Sequence, residues 1–218
     1  MLTDFTVSSI KRSILEGKTG LDYLNRTFAR FSCPKNPDVQ RFLQRDSIDF
    51  TKRKQSVTYL VTSKTDDELL AYFVLAIKSI SVNAEHFSNT MRRKIERISE
   101  VNEQTGEYLL AAYLIAQLGK NYTDGMNERI TGEELLRLAL GKIQQLQDMA
   151  GGTVAFLETD NVDKLIAFYE SNGFKQFAVR KRRTDERRGK LVQLLKVIWC
   201  GLYTADKLLH ANYLPLAG

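Results

Sequence analysis

Cysteine, histidine and proline are all scarce in this chain, and each scarcity argues against a class of protein. Two cysteines, Cys33 and Cys200, in 218 residues cannot build a disulfide framework. Neither lies in a CxxC pair, so free thiols in a reducing compartment, the cytoplasm, are the expectation. Histidine occurs only as His86 and His210, far apart and without ligand spacing. Cys33 has no evident base either, so neither a metal site nor a nucleophilic triad is expected. Three prolines beside 43% hydrophobic residues describe an ordinary globular chain with a real core. No apolar run is long enough to span a bilayer, and no membrane association is expected. The longest run, YLLAAYLIAQL, has the length of a buried strand or short helix. The N-terminal MLTDFTVSSIKRSIL lacks the continuous apolar stretch of a signal peptide. The length fits one domain over 1–218, with its core at about 21–199, a surface excursion at 83–107 and a tail at 200–218.

Positive charge is what the chain has in excess. The formal charge is +6, and the basic residues cluster as KRK at 52–54, RRK at 92–94, RKRR at 180–183 and RR at 187–188. Such runs attract phosphates, whether of a nucleotide or of a nucleic acid. For any single run, solvated surface charge is the plainer reading.

Periodicity gives the elements. Residues 1 to about 20 carry only weak signals, of a short strand or a helix start. GLDYLNRTFARF and PDVQRFLQRDSIDF are helical by spacing, the second with a stripe at Val39, Phe42, Leu43, Asp46 and Phe50 and with Pro37 in its first turn. SVTYLVTS (56–63) and LLAYFVLAIKSISV (69–82) read as a β-hairpin around KTDDE. The polar stretch at 83–107 has a short helical core at about 88–98. YLLAAYLIAQL is apolar on both alternations, as a central strand covered on both faces should be. A helix follows over about 132–149, with Leu135, Leu138, Ala139, Lys142, Ile143 and Leu146 on its apolar side and Glu133 and Glu134 in the first turn. Gly151 and Gly152 end it. TVAFLET (153–159) is a strand, and Thr159 or Asp160 can cap the next helix, whose stripe is Val162, Leu165, Ile166 and Tyr169. Gly173 is its left-handed terminator, with Phe174 packing back. FKQFAVRK (174–181) and KLVQLLKVIW (190–199) read as strands joined by a basic turn. The order implies an α/β fold, a mixed sheet with helices on both faces.

The strand–loop–helix junction over 108–135 has the arrangement that receives phosphates, with unpaired N–H groups and the positive end of a helix dipole converging. From here the chain resembles the GCN5-related N-acetyltransferases (GNAT). The residues that carry the resemblance are GKNYTDGMNERITGEELLRLAL, VAFLET and LIAFYESNGF. The family's closing Y-x-x-x-G-F is present as Tyr169, Gly173 and Phe174. FARFSCPKNPDVQRFLQRDSIDF further resembles the opening of a toxin-like subgroup that acetylates charged tRNA. The resemblance covers about 56–198 by element order and implies a central twisted mixed sheet. It also implies acetyl-CoA as co-substrate, an amine acceptor (aminoacyl-tRNA, peptide or small molecule) and an antitoxin-like protein partner.

On this resemblance Tyr169 is the general acid toward the CoA thiolate. Backbone N–H groups near Leu118 and Lys120 hold the oxyanion. The family's pyrophosphate pattern Q/R-x-x-G-x-G/A falls on Asn127, Arg129, Ile130, Thr131, Gly132 and Glu133. Ile130 stands where the pattern has its first glycine, and isoleucine resists both close phosphate approach and positive φ. Asn161 lies one residue from a cofactor-contacting asparagine of many relatives. Glu158 is a candidate base, and a surface carboxylate on the plainer reading. For Tyr169 the alternative is a core residue with a satisfied hydroxyl. For the whole chain the alternatives are a catalytically silent GNAT-fold binding module, with Ile130 as its best support, and a basic nucleic-acid-binding protein.

Overall fold

In the computed structural model, which describes residues 4–181 and 189–198, the alternating segments pair into one mixed sheet. Its strands are β1 (Phe5–Ser9), β2 (Val57–Ser63), β3 (Leu69–Asn83), β4 (Val101–Asn102), β5 (Glu107–Lys120), β6 (Val154–Asp160), β7 (Lys175–Lys181) and β8 (Lys190–Val197). Their order is β1-β2-β3-β5-β6-β8-β7, with β4 paired to β5. Among the described residues β5 and β6 are the parallel pair, and the other pairings are antiparallel. The expected hairpin is β2–β3. The weakly patterned N-terminus supplies β1, which runs antiparallel along β2 from Phe5↔Ser63 to Ser9↔Tyr59.

Side-chain alternation along β3 and β5 assigns the helices to the two faces. Phe73, Leu75, Tyr113 and Ile115 point to α6 (Gly132–Ala150) and α7 (Asp163–Ser171) and form the largest core with Leu135, Leu136, Ala139 and Ile143. Tyr72 and Val74 point the other way, into a core made with α2 (Lys18–Ala29), α3 (Pro37–Arg41) and the segment after it; α1 (Lys11–Leu15) precedes α2. Each fully buried side chain of this kind is worth about 1.5–3 kcal/mol. Further along that second face, α5 (Asn89–Ile95) closes a third core over Ile80, Val82, Tyr108 and Leu110. Phe87 and Ile95 are buried there, so the polar-looking stretch at 83–107 carries its own piece of core.

Two helical expectations need correction. Asn36 caps α3 and Pro37 opens it as expected, but residues 42–46 form a π-helical segment before α4 (Ser47–Lys52). The wider turn shifts the phase of the helix beyond it. Val39 and Leu43 are buried as the stripe requires, whereas Phe50 is exposed and Ser47 and Thr51 take the inner positions. On α7, neither Thr159 nor Asp160 is the cap. Val162 occupies that position without a side-chain bond, and Val162 and Leu165 are exposed while Ile166 and Tyr169 pack on the core.

Candidate active site

One irregularity in β5 opens the sheet. Val74 pairs with Gln117 but Leu75 pairs with Ile115, so Ala116 is an extra residue. Such a bulge bends its strand. The parallel ladder between β5 and β6 ends there, at Ile115↔Leu157. Both strands nevertheless continue, β5 against β3 to Lys120 and β6 against β8 to Asp160. They part as a V, and backbone groups of β5 beyond Ile115 have no β6 partner. A cavity of ≈ 490 Å³ occupies the V, lined among others by Leu118, Lys120, Gly132, Glu158 and Tyr169. Close packing behind it fixes the far arm. A side chain at Gly119 would meet Val39 Cγ1 at 2.3 Å, so only glycine lets α3 lie this close to β5.

Tyr169 sits on the last turn of α7, held by the termination signal seen in the sequence. Gly173 has φ +83°, and the N–H groups of Gly173 and Phe174 donate to the carbonyls of Glu170 and Tyr169 at 2.9 and 3.1 Å. The Tyr169 ring packs edge-on against Phe168 and Phe174, with centroids 5.1 and 6.0 Å away. Its hydroxyl has no hydrogen-bond partner among the described residues, yet the side chain lines the cavity. Burial pushes the phenol up to about 12. A core tyrosine normally satisfies its hydroxyl; this one keeps a donor available at the V.

Glu158 lies on the opposite wall and is fully engaged. Arg180 grips both carboxylate oxygens, Nε to Oε1 at 2.6 Å and Nη2 to Oε2, and Gln193 Nε2 adds a bond of 2.7 Å. Burial alone would raise this carboxyl, but the hydrogen bonds from Arg180 and Gln193 outweigh it and hold it below the usual range. A carboxylate stabilised in its charged form is a weak proton acceptor.

At the start of α6 the chain satisfies part of its own helix end. Thr131 Oγ1 accepts from Glu134 N at 3.1 Å and Glu134 Oε2 accepts from Thr131 N at 2.8 Å, a reciprocal capping box. Glu133 pairs with Arg137 at 2.8 Å. Arg129 turns away to the β2–β3 turn, where its two Nη atoms reach the Asp66 carboxylate at 2.9 and 3.0 Å. Ile130 is 1% exposed and belongs to the core beneath α6.

No protein-family model matches the sequence, and no curated protein matches it. Solved structures do. AtaT complexed with acetyl-methionyl-tRNAfMet superposes with a TM-score of 0.58 at 15% identity, over 87% of this chain and 94% of that one. A Tyr-to-Phe mutant of AtaT bound to the C-terminus of the antitoxin AtaR gives 0.52 at 15%, over 87% and 92%. AtaTR bound with AcCoA gives 0.50 at 15%, over 89% and 93%. The fold is that of the GCN5-related N-acetyltransferases.

Within this GNAT fold the residues expected at the site divide into three groups. Tyr169, Glu158, Leu118, Lys120 and Gly132 line the cavity in the V. Asn161 lines an adjoining cavity of ≈ 520 Å³ with Lys35, Asp160 and Lys190. Asn127, Arg129, Ile130, Thr131 and Glu133 line neither. The Ile130 side chain points into the core, and its φ is not left-handed. Lys35 and Gln193 carry no distinguishing signal in the sequence, Lys35 because it stands in a loop without period, and Arg180 is marked there only as part of a basic run. Cys33 is free and buried beside it, while Cys200, His210 and most of the RKRR and RR runs lie outside the described residues. Among the described residues no cluster of His, Cys, Asp or Glu is placed to hold a metal ion, and no helix is long and apolar enough to cross a membrane.

Proposed function

We propose that the protein is an acetyl-CoA-dependent N-acetyltransferase acting by direct attack of an amine, with Tyr169 as donor to the departing sulfur. The observation that carries this reading is the unpartnered Tyr169 hydroxyl at a V opened by a bulge in the central strand. The site's own groups fit the co-substrate: a freed strand edge past Ile115 for an amide-bearing arm, and Gly132 with Lys120 at the start of α6 for a charged end. Acetyl-CoA supplies an acetyl group activated as a thioester.

Backbone N–H groups of β5 near Leu118, on the fork side of Lys120, are the donors for the oxyanion, fixed in place by the β3 ladder on their other side. Tyr169 stays protonated at any working pH, because its phenol lies far above 7. A thiol near 8.5 is the stronger acid of the two. The phenol therefore stabilises the developing thiolate by donating a hydrogen bond and retains its proton; as the C–S bond breaks, the acylated nitrogen sheds its extra proton to solvent. Glu158, held by Arg180 and Gln193, serves as an oriented wall of the acceptor side rather than as a base.

An acceptor with a low-pKa amine removes the need for a base: an α-amino group near 7.7–8.0 is partly neutral at working pH, unlike lysine near 10.4. With the basic runs and the likeness to an AtaT structure that holds acetylated methionyl-tRNA, this favours an aminoacyl-tRNA over a lysine side chain. The AtaT structure with the antitoxin's C-terminus extends the reading to a protein antagonist. Two measurements test the enzyme reading. Acetyl-CoA should raise the melting temperature saturably, since a ligand of the folded state stabilises it. Tyr169→Phe should keep that rise while slowing transfer at least about tenfold, a modest demand on a hydrogen-bond donor to developing charge. No thermal shift at millimolar ligand would leave a scaffold, and unchanged turnover would remove Tyr169 from the chemistry.

A further inference from the structure

The charges expected to meet the phosphates of acetyl-CoA are spent elsewhere. Arg129 is committed to Asp66, and the α6 start carries Glu133 and Glu134 with a closed capping box. Two other cations face the same cleft. Lys120 pairs across the ladder with Ala71, which packs in the core beneath α6, so its side chain lies on the α6 side of the sheet beside Gly132. Lys35 lines the cleft from the wall formed by the α2–α3 loop.

That loop is fastened to the end of β5. Tyr122 N donates to Ser32 O at 2.7 Å, Ser32 N to Asn121 Oδ1 at 3.1 Å, and Thr123 Oγ1 to Arg30 O at 2.6 Å. Asn36 N then closes a tight turn onto Cys33 O at 3.0 Å, and Lys35 Nζ stands 5.1 Å from the centre of the Tyr122 ring. Neither lysine forms an ion pair among the described residues. Lys120 is depressed by burial and then by Lys35, with Glu134 and Glu128 acting in the opposite sense. A cation disfavoured by burial and by a second cation in a half-enclosed cleft marks a site for an anion. About 16 Å of strand separates Ile115, where β5 leaves β6, from Lys120. The cleft is thus long enough to keep a reacting centre and a charged end apart.

We propose that Lys35 and Lys120 form a two-sided clamp for the phosphate groups of acetyl-CoA, beside Gly132 at the start of α6. The clamp rests on the acetyltransferase reading. It makes the α2–α3 loop part of the co-substrate site, so both walls of the V grip the same ligand.

The test is calorimetric titration of acetyl-CoA into the wild-type chain and into Lys35→Gln, Lys120→Gln and Lys120→Arg, at low and at high salt. S-acetylpantetheine, which has the thioester and the arm but no phosphate, is titrated in parallel. The clamp predicts at least about tenfold weaker acetyl-CoA binding for either glutamine variant at low salt and a flatter salt dependence. It predicts near-wild-type affinity for Lys120→Arg and no change toward S-acetylpantetheine. Wild-type binding that the glutamine variants leave intact overturns the clamp alone. So does an equal loss toward both ligands in variants that melt normally. Absence of wild-type binding to acetyl-CoA overturns the acetyltransferase reading, and the clamp with it.

Discussion

Tyr169 and Ile130 are both apolar-side residues with opposite destinies. Period puts the tyrosine on its stripe, and period alone cannot tell a packed ring from a presented hydroxyl. Its surroundings can: rings on two sides and nothing bonded to its oxygen. Because burial lifts the phenol to about 12, loss of its proton should not limit the reaction below about pH 11. A kcat profile measured from pH 7 to about 10.5 should show no basic limb that disappears in Tyr169→Phe. Ile130 is singled out at the sequence level because a motif is matched there by position. In the fold it fills the core beneath α6, a role invisible from its neighbours in sequence. Ile130→Gly, which restores the family pattern, should therefore cost about 2–5 kcal/mol in urea denaturation through the lost side chain, with more from chain entropy. A gain in acetyl-CoA affinity without loss of stability would contradict this account.

At the scale of elements, strands and long helices were legible and the junctions were not. β3, α6, β6 and the Gly173 stop arise from apolar period and turn chemistry that the final packing does not overrule. The π-helical segment at 42–46 escaped because one inserted backbone residue leaves the local spacing intact and displaces only the residues beyond it. Arg129 escaped because its partner lies on the β2–β3 turn, far away in sequence. That pair ties two junctions together, and its acid response can be checked. The Arg129 guanidinium holds the Asp66 carboxyl at about 2, against an ordinary 3.8. A depressed carboxyl contributes stability that is present above its unfolded value and lost as pH falls through the folded one. The melting-temperature gap between wild type and Asp66→Asn should thus be open at pH 6 and close towards pH 2. Both partners are partly exposed, so added salt should narrow the gap as well.

For the whole molecule, the sheet acts as a frame with one deliberate opening. Helices α6 and α7 brace one face and α2–α4 brace the other, so the sheet around the V is held from both sides. The fold class was readable because the order of elements is a property of the chain. The V was not, since the sequence run YLLAAYLIAQL reads as an uninterrupted strand whether or not one residue bulges from it. Which strands flank the opening depends on pairings between segments about forty residues apart, as at Ile115 and Leu157.

The opening also hangs on a single codon. Without Ala116, Ile115 would still face Leu75, Gln117 Val74 and Leu118 Phe73, the partners they have now. No side chain would change faces, and the cores would lose only the half-buried methyl group of Ala116. What would vanish is the bend, leaving β5 free to run on beside β6. An in-frame deletion of Ala116 should accordingly give a chain that expresses and melts cooperatively yet binds no acetyl-CoA. Heredity could switch this protein from one with a cleft to one without it in a single step, with hardly a trace in its folding.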